Sequence, residues 1–518
     1  MTEVQLTLSP EQSHDEAFIK TKIAKTLGIN RSDISSYSII RKSIDARGRY
    51  PLVLMKFRVF MGETESLSYQ NTFSYQNVEG KKEVFIIGSG PAGLFAALRL
   101  IELGFCPVII ERGKQVSERK KDVAQISRNQ PIHEDSNLCF GEGGAGTFSD
   151  GKLYSRSSKR GNIGRILEIF HRHGAQDEIL YESHPHIGTD ILARVIEHIR
   201  NTIIECGGKF LFETKVVDII IENSAVVGLV LADGSQLRGD TVVLATGHSA
   251  RDIYQMLYKK GISIEAKGFA LGVRVEHPQE LINEIQYKGY KNEFLPSASY
   301  TLTSQTEGRG VYSFCMCPGG VIVPAATERE QVVVNGMSSS HRGSAFANSG
   351  IVVELHPKDF PQFAQYGELC GLYFQQYVEH LAYTNNGLRN NAAPAQRLTD
   401  FVRGKLSSDL PKASYQPGVI SSPMHFWLPE LIRKPLQKGF SIFDKKMKGF
   451  LTNEAQILGV ESRTSSPVRI PRDRQTLQHT QIRGLYPCGE GAGYAGGITS
   501  SAMDGERVAE QIALAFGK

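Results

Sequence analysis

No stretch of this sequence stays apolar for the roughly 18 residues that a membrane-crossing helix needs. The best candidate, Gly93 to Ile110, is broken by Arg99 and Glu102. The opening MTEVQLTLSPEQSHDE has no basic segment followed by an apolar one, so no secretory leader is expected and the location expected is cytoplasmic. Cysteines are few, seven in 518 residues, and irregularly spaced apart from Cys315 and Cys317. That excludes a disulfide scaffold and reads as reduced thiols. Charge of one sign is also scarce. With 59 basic and 54 acidic residues the net charge is +5, too slight to argue for a nucleic-acid partner. There is no internal repeat and no low-complexity tract.

Apolar residues make up 41% and charged residues 22%, ordinary values for a folded chain long enough for two to four domains. Glycine is in excess, 51 residues, and it clusters in short stretches. Such clusters suit backbone that must approach a ligand closely.

Residues 1–80 read as a separate small α+β module. Val4–Leu8 alternates as a strand, Asp15–Leu27 has helical spacing, and Ser36–Ile40 and Leu52–Phe60 look like strands around a polar turn. The order β-α-β-β suggests a ferredoxin-like unit, with 61–80 as a polar linker. A βαβ unit follows. Val84–Ile87 and Val108–Ile110 are short apolar runs, the mark of strands covered on both faces, and a helix over about 91–103 joins them. From Lys209 the period becomes two. Phe210–Phe212, Val216–Ile221 and Val226–Leu231 read as a meander, before buried strands at Thr241–Leu244 and Leu485–Cys488 and a last helix over about 500–516.

The sharpest motif is Gly88-Ser-Gly90-Pro91-Ala92-Gly93, leaving the first buried strand, with Glu111 at the end of the second. Gly88 makes the tight turn. Gly90 lets backbone approach a pyrophosphate, and Gly93 lets the helix pack close to the sheet. The helix N-terminus offers free N–H groups to the phosphates, and Glu111 offers acceptors to ribose hydroxyls.

Two other glycine-rich stretches match the same pattern without its βαβ context. Gly141-Glu-Gly143-Gly144-Ala-Gly146-Thr147 follows no clear strand, and five glycines fall within 141–151. It is expected to lie along a ligand. Gly491-Ala-Gly493-Tyr-Ala-Gly496 sits between a buried strand and the last helix. Its helix start, Gly496-Gly497-Ile498, would address a bound ligand with its partial positive charge.

In order and spacing, Gly88–Gly93 with Glu111, the meander ending Leu244-Ala-Thr246-Gly247, and Cys488-Gly489-Glu490 resemble the FAD-binding domain of glutathione-reductase-type flavoproteins. The resemblance implies non-covalent FAD, with Arg112, Val217, Thr246 and Gly247 among its contacts and Glu490 taking the place of the usual Asp on a ribityl hydroxyl. A narrower resemblance rests on Gly141–Lys152, Pro185-His-Ile-Gly-Thr-Asp190, Cys315-Met-Cys-Pro-Gly-Gly320, Asn335-Gly-Met-Ser338, Arg463-Thr-Ser-Ser-Pro467 and Gly489–Ile498. It points to a bacterial family of uncharacterised FAD-dependent dehydrogenases, or NAD(P)/FAD-dependent oxidoreductases. It implies a cofactor and a class, not a reaction.

Cys315 and Cys317, a CxC pair, read either as half-buried strand cysteines or as substrate-facing thiols pointing the same way. They form no zinc site with a second pair. His341 and Arg342 stand in a polar run that could bind a substrate carboxylate or phosphate. Thr189 or Asp190 is placed to cap the helix after His184-Pro-His186. The amphipathic basic helix over 429–448 reads as a surface helix.

The expected architecture is α/β: a Rossmann-type FAD-binding domain from 81–250 and 455–518, an inserted mixed α+β substrate domain at 251–454, and the small module at 1–80. The expected activity is hydride transfer at flavin N5 to or from a small-molecule substrate, with NAD(P)H a transient donor and no metal. The catalytic acid or base and the oligomeric state are not legible. Two rivals remain. One is a flavoprotein acting on nucleic acid, suggested by six basic residues in 36–60. The other is a non-enzymatic FAD-binding scaffold or sensor. A balance of ten basic and nine acidic residues over 1–80 argues against nucleic acid.

Overall fold

The computed structural model describes residues 2–62, 73–154 and 161–518. At its centre is a five-stranded parallel sheet in the order Leu485–Pro487, Val242–Leu244, Glu83–Ile87, Cys106–Ile110, Lys209–Leu211. The first βαβ unit forms as its sequence dictates. Glu83–Ile87 and Cys106–Ile110 are almost wholly buried, and helix Pro91–Glu102 between them begins with proline in its first turn, where no N–H is lost. Helix Ile498–Ala515 packs against Pro91–Glu102, close enough that a Cβ on Gly505 would overlap the Ala92 carbonyl. This parallel sheet with its packed helices is a Rossmann-type fold.

Two details differ from the sequence reading. Lys209–Leu211 joins the parallel sheet beside Val108–Ile110 rather than the meander. The meander proper is Val216–Glu222, Ala225–Leu231 and Gln236–Arg238. Alternation alone does not say which sheet a short strand will join.

The inserted part is built on a seven-stranded mixed sheet whose centre is Phe269–Pro278, paired antiparallel with Phe346–Leu355 and Gln456–Glu461. Gln456–Glu461 therefore belongs to this sheet, so the sheet takes in residues beyond 454. Helices Cys370–Thr384 and Glu430–Lys446 cover it, burying Phe374, Leu436, Phe440 and Phe443.

The N-terminal module is one three-stranded antiparallel sheet, order Thr2–Leu8, Leu52–Phe60, Ser36–Asp45, with helix Glu16–Leu27 on one face. It has its own core of Val4, Leu6, Ile19, Ile23, Met55 and Phe57. It also docks. Lys42 exchanges backbone bonds with Tyr181 and Ser183, Lys288 Nζ donates to the Gly48 carbonyl at 2.8 Å, and His14 stacks on Phe294. The expected linker 61–80 divides. Residues 63–72 lie outside the described residues. Phe73 and Tyr75 pack on the core of the FAD-binding part, and Val78 is buried in it, its N–H bonded to the Cys206 carbonyl.

Candidate functional site

The turn Gly88–Gly93 carries each glycine for a different reason. Gly88 has φ 103°, and a Cβ there would press on the Ala245 carbonyl. A Cβ on Gly93 would overlap the Gly88 carbonyl, so only glycine lets helix and strand approach. A Cβ on Gly90, by contrast, would meet only Gly144 Cα, at 3.9 Å. Gly247, Gly496 and Gly497 likewise face open space. Gly489 lies over Ala92 and Ser501, in the first turns of the two packed helices, and Gly491 abuts Gly247. Open glycines and two helix starts thus border one cradle, which fits a dinucleotide whose pyrophosphate contacts backbone.

The glycine-rich loop closes one side of this cradle. Gly143 N donates to the Ser89 carbonyl at 3.0 Å, and a Cβ on Gly144 would lie 3.2 Å from Gly90 Cα. A Cβ on Gly146 would lie 3.2 Å from Ile498 Cγ1. The loop and the start of the last helix are therefore brought together, although Gly146 and Ile498 lie 352 residues apart in the chain. They touch at Gly146 and Ile498, however, so no ring lies between those two residues. The hydroxyls of Thr147 and Ser149 are not turned to the cradle. Thr147 Oγ1 is buried and donates to the Glu142 carbonyl, and Ser149 Oγ donates to the Gly146 carbonyl. What the loop presents is backbone.

Glu111 is buried, with both oxygens engaged. Oε2 accepts from Ser89 N and Oγ, and Oε1 accepts from Gly113 N and Gly141 N. Four bonds use its full acceptor capacity, so a ribose hydroxyl would have to share one. Arg112 stacks on Phe140, 4.5 Å from its centroid, and pairs with Asp252. Val217 is exposed on the meander. Thr246 and Gly247 stand at the end of the strand beside Glu83–Ile87.

Glu490 differs from the other acids near the cradle. Its carboxylate accepts no hydrogen bond from the described residues, and burial raises its pKa to about 7, with Lys267 the only opposing charge. His248, 3.9 Å away, is held neutral, its pKa lowered to about 3 by burial and by Arg463, Arg251 and Lys267. A half-buried carboxyl without a donor fits a ribityl hydroxyl. Behind it, Glu379 is fully buried and bonded to Arg251 and Arg463, which stand before and after the inserted part.

Three of the four substrate candidates converge on the end of the glycine-rich loop. Asp150 pairs with Arg342 (Nη2 at 2.6 Å) and with Lys152 (2.9 Å), and Lys152 Nζ lies 3.8 Å from Cys317 Sγ. Cys315 is exposed while Cys317 is buried, so the two thiols do not point the same way. A bulge between Phe314 and Cys317, with Cys315 at φ 43°, breaks the alternation. His341 is exposed and makes no hydrogen bond or ion pair with this cluster among the described residues. Neither Thr189 nor Asp190 caps the helix, which starts from Gly188. Thr189 Oγ1 donates to the Thr147 carbonyl, and Asp190 accepts from Ser340. Asp150 and Lys152, which fall within the stretch Gly141–Lys152, and Glu379 are not among the site residues expected from sequence. The Asp-Gly-Lys at 150–152 was the visible signal for the first two.

Residues 83–268 match the family described as glucose inhibited division protein A, and residues 268–464 match the FAD-dependent protein, C-terminal domain-like family. Residues 1–60 match a domain of unknown function. An uncharacterized protein of Clostridium beijerinckii is 40% identical, covering 96% of this chain and 96% of its own. A thiamine thiazole synthase of Aeropyrum pernix is 27% identical over 39% of this chain and 67% of its own. Among solved structures, L-proline dehydrogenase from P. horikoshii is similar with a TM-score of 0.36 at 14% identity, covering 84% of this chain and 94% of that one. The chain belongs to a family of FAD-dependent proteins that includes the Clostridium protein, and FAD is its cofactor. Among the described residues, no helix is long and apolar enough to cross a membrane.

Proposed function

We propose that this protein moves a hydride between flavin N5 and a small-molecule substrate bound at the Asp150–Lys152–Cys315–Cys317 cluster. One observation carries the reading. Thr499 Oγ1, in the first turn of the helix that borders the cradle, donates to the Leu153 carbonyl at 2.8 Å, which supports a cofactor ring close to Lys152, the residue before Leu153. When bound, FAD supplies the centre that accepts or donates the hydride. The chain does the rest. Gly88–Gly93, Glu111, Thr246, Gly247, Gly489 and Glu490 would hold the dinucleotide. The start of helix Ile498–Ala515 would stabilise negative charge at the pyrimidine edge. Buried Phe148, Leu153 and Ile498 would keep water from that side. The test is anaerobic mixing of the FAD-loaded protein with NADH, NADPH and a metabolite panel. Rapid bleaching of the flavin by one of them is expected. A flavin that no reductant bleaches would favour the scaffold or sensor reading.

The match of residues 83–268 to glucose inhibited division protein A keeps a nucleic-acid substrate as a second reading. Lys56 and Arg58 of the module already pair with Glu3 across its sheet, which weakens the basic patch on which that reading depends. A salt-dependent shift of transfer RNA by the whole chain, lost without residues 1–62, would support it.

A further inference from the structure

We infer that Lys152 is a substrate-binding residue, and that the substrate it anchors carries a single carboxylate. The inference rests on the proposed function and names the substrate class for that same site.

The argument begins with charge. Around the end of the glycine-rich loop stand three cations, Lys152, Arg342 and Arg274, and two acids paired with them, Asp150 and Glu461. The next acid, Glu182, faces Arg342 but also Lys42, which offsets it. His186, beside Lys152 in the chain pairing, is kept neutral by burial and by Arg342. One positive charge is left over, which a single anionic group of a ligand would neutralise.

Exposure says which cation is free. Arg274 has a fully buried side chain, and its guanidinium is shared among Glu461, Asn348 and the Cys315 carbonyl. The fork of Arg342 is spent on both oxygens of Asp150, which is itself 2% exposed. Lys152 alone keeps much of its side chain accessible, 37%. Its ammonium has three donors. One meets Asp150, one points weakly at Cys317 Sγ, and the third has no partner among the described residues.

The surroundings are built rather than incidental. Cys315 holds a left-handed φ of 43°, costly for a non-glycine residue. The carbonyl of that same residue is gripped by buried Arg274. The result is an exposed thiol beside the accessible ammonium. A point-charge ammonium beside a neutral thiol suits one carboxylate better than a phosphate dianion, which would leave the site with net negative charge. The planar forks that favour phosphate are already occupied.

The test is titration of the FAD-loaded protein, at constant ionic strength, with acetate and benzoate, against acetamide, benzamide and inorganic phosphate. The flavin difference spectrum is the readout. The inference expects a saturable change with the carboxylates and none with the amides. It also expects affinity to fall about tenfold or more in Lys152→Met and to recover in part in Lys152→Arg, with FAD content unchanged. Equal responses to carboxylate and amide, tighter phosphate binding, or an unaltered response in Lys152→Met would each overturn it. A flavin that a reductant bleaches but no carboxylate perturbs overturns this inference and leaves the proposed function standing. A flavin-free protein overturns both.

Discussion

Thr499 in the last helix donates its hydroxyl to the carbonyl of Leu153, 346 residues earlier, at 2.8 Å. That bond joins the two stretches of chain, the glycine-rich loop and the helix start, between which the cofactor cradle and the lysine–thiol cluster meet. Both residues are buried, so the join is fixed on the inside of the fold rather than at a mobile rim.

Gly90→Val should separate cofactor binding from folding. Its Cβ would stand in the open cradle, 3.9 Å from its nearest neighbour, so the variant should fold yet purify without FAD. Gly93→Val should instead fail to fold, because its side chain would overlap the Gly88 carbonyl. Flavin absorbance per mole of protein and a thermal melt check both. A Gly90→Val protein with full FAD would show that the cradle is not the pyrophosphate site. Substitution at Gly144 belongs with the first kind, because it presses on Gly90 and should weaken FAD binding as well as any chemistry.

The strand, glycine turn and helix of the first βαβ unit are legible in sequence because their signals are local. Strand, turn, helix and acid all fall within 83–111, and each is set by near-neighbour geometry. The meeting of Asp150, Lys152, Arg342 and Cys317 was not legible, since it depends on how the seven-stranded sheet docks on the parallel one. The orientation of Cys315 was missed for a different reason. A bulge adds a residue to the strand, and the period-two rule then assigns the wrong face. Glu111 directly follows the second strand, but its backbone partners, the N–H groups of Ser89, Gly113 and Gly141, are ones that no side-chain pattern records.

Glu490 should give the FAD-free protein a distinctive pH dependence. Burial raises its pKa from 4.5 to about 7 in the folded state. An acid with a raised folded pKa contributes stability that is fully present below its unfolded pKa and is lost as pH rises through the folded one. Melting temperature should therefore fall between about pH 5 and pH 7, by the equivalent of at most about 3 kcal/mol, and Glu490→Gln should flatten that slope. An unchanged slope in the variant would assign the effect elsewhere.

Glu379→Gln should be among the most destabilising single changes in the molecule. Its carboxylate, held well ionised at a pKa of about 2, is the buried partner of Arg251 and Arg463. Removing it would leave two buried guanidinium groups short of a counter-charge, at a cost of about 3–5 kcal/mol in urea unfolding. A loss below about 1 kcal/mol would mean that Glu328 and water take over its role.

Removal of residues 1–62 should leave a soluble, FAD-binding protein, because the module has a core of its own. Removal through residue 80 should not, since Tyr75 and buried Val78 belong to the core around Pro91–Glu102. Soluble yield and flavin content of the two truncations distinguish the cases, and equal behaviour would contradict the division drawn between them.

The central claim is that one flavin lies with its pyrophosphate on Gly88–Gly93 and its ring at the junction of the last helix and the lysine–thiol cluster. A crystal structure of the FAD-loaded protein tests this most directly. The account predicts the pyrimidine edge against Gly497 and Ile498, with N5 on the side of Lys152 and Cys315. A ring turned away from that cluster, or a pyrophosphate bound elsewhere than Gly88–Gly93, would contradict it.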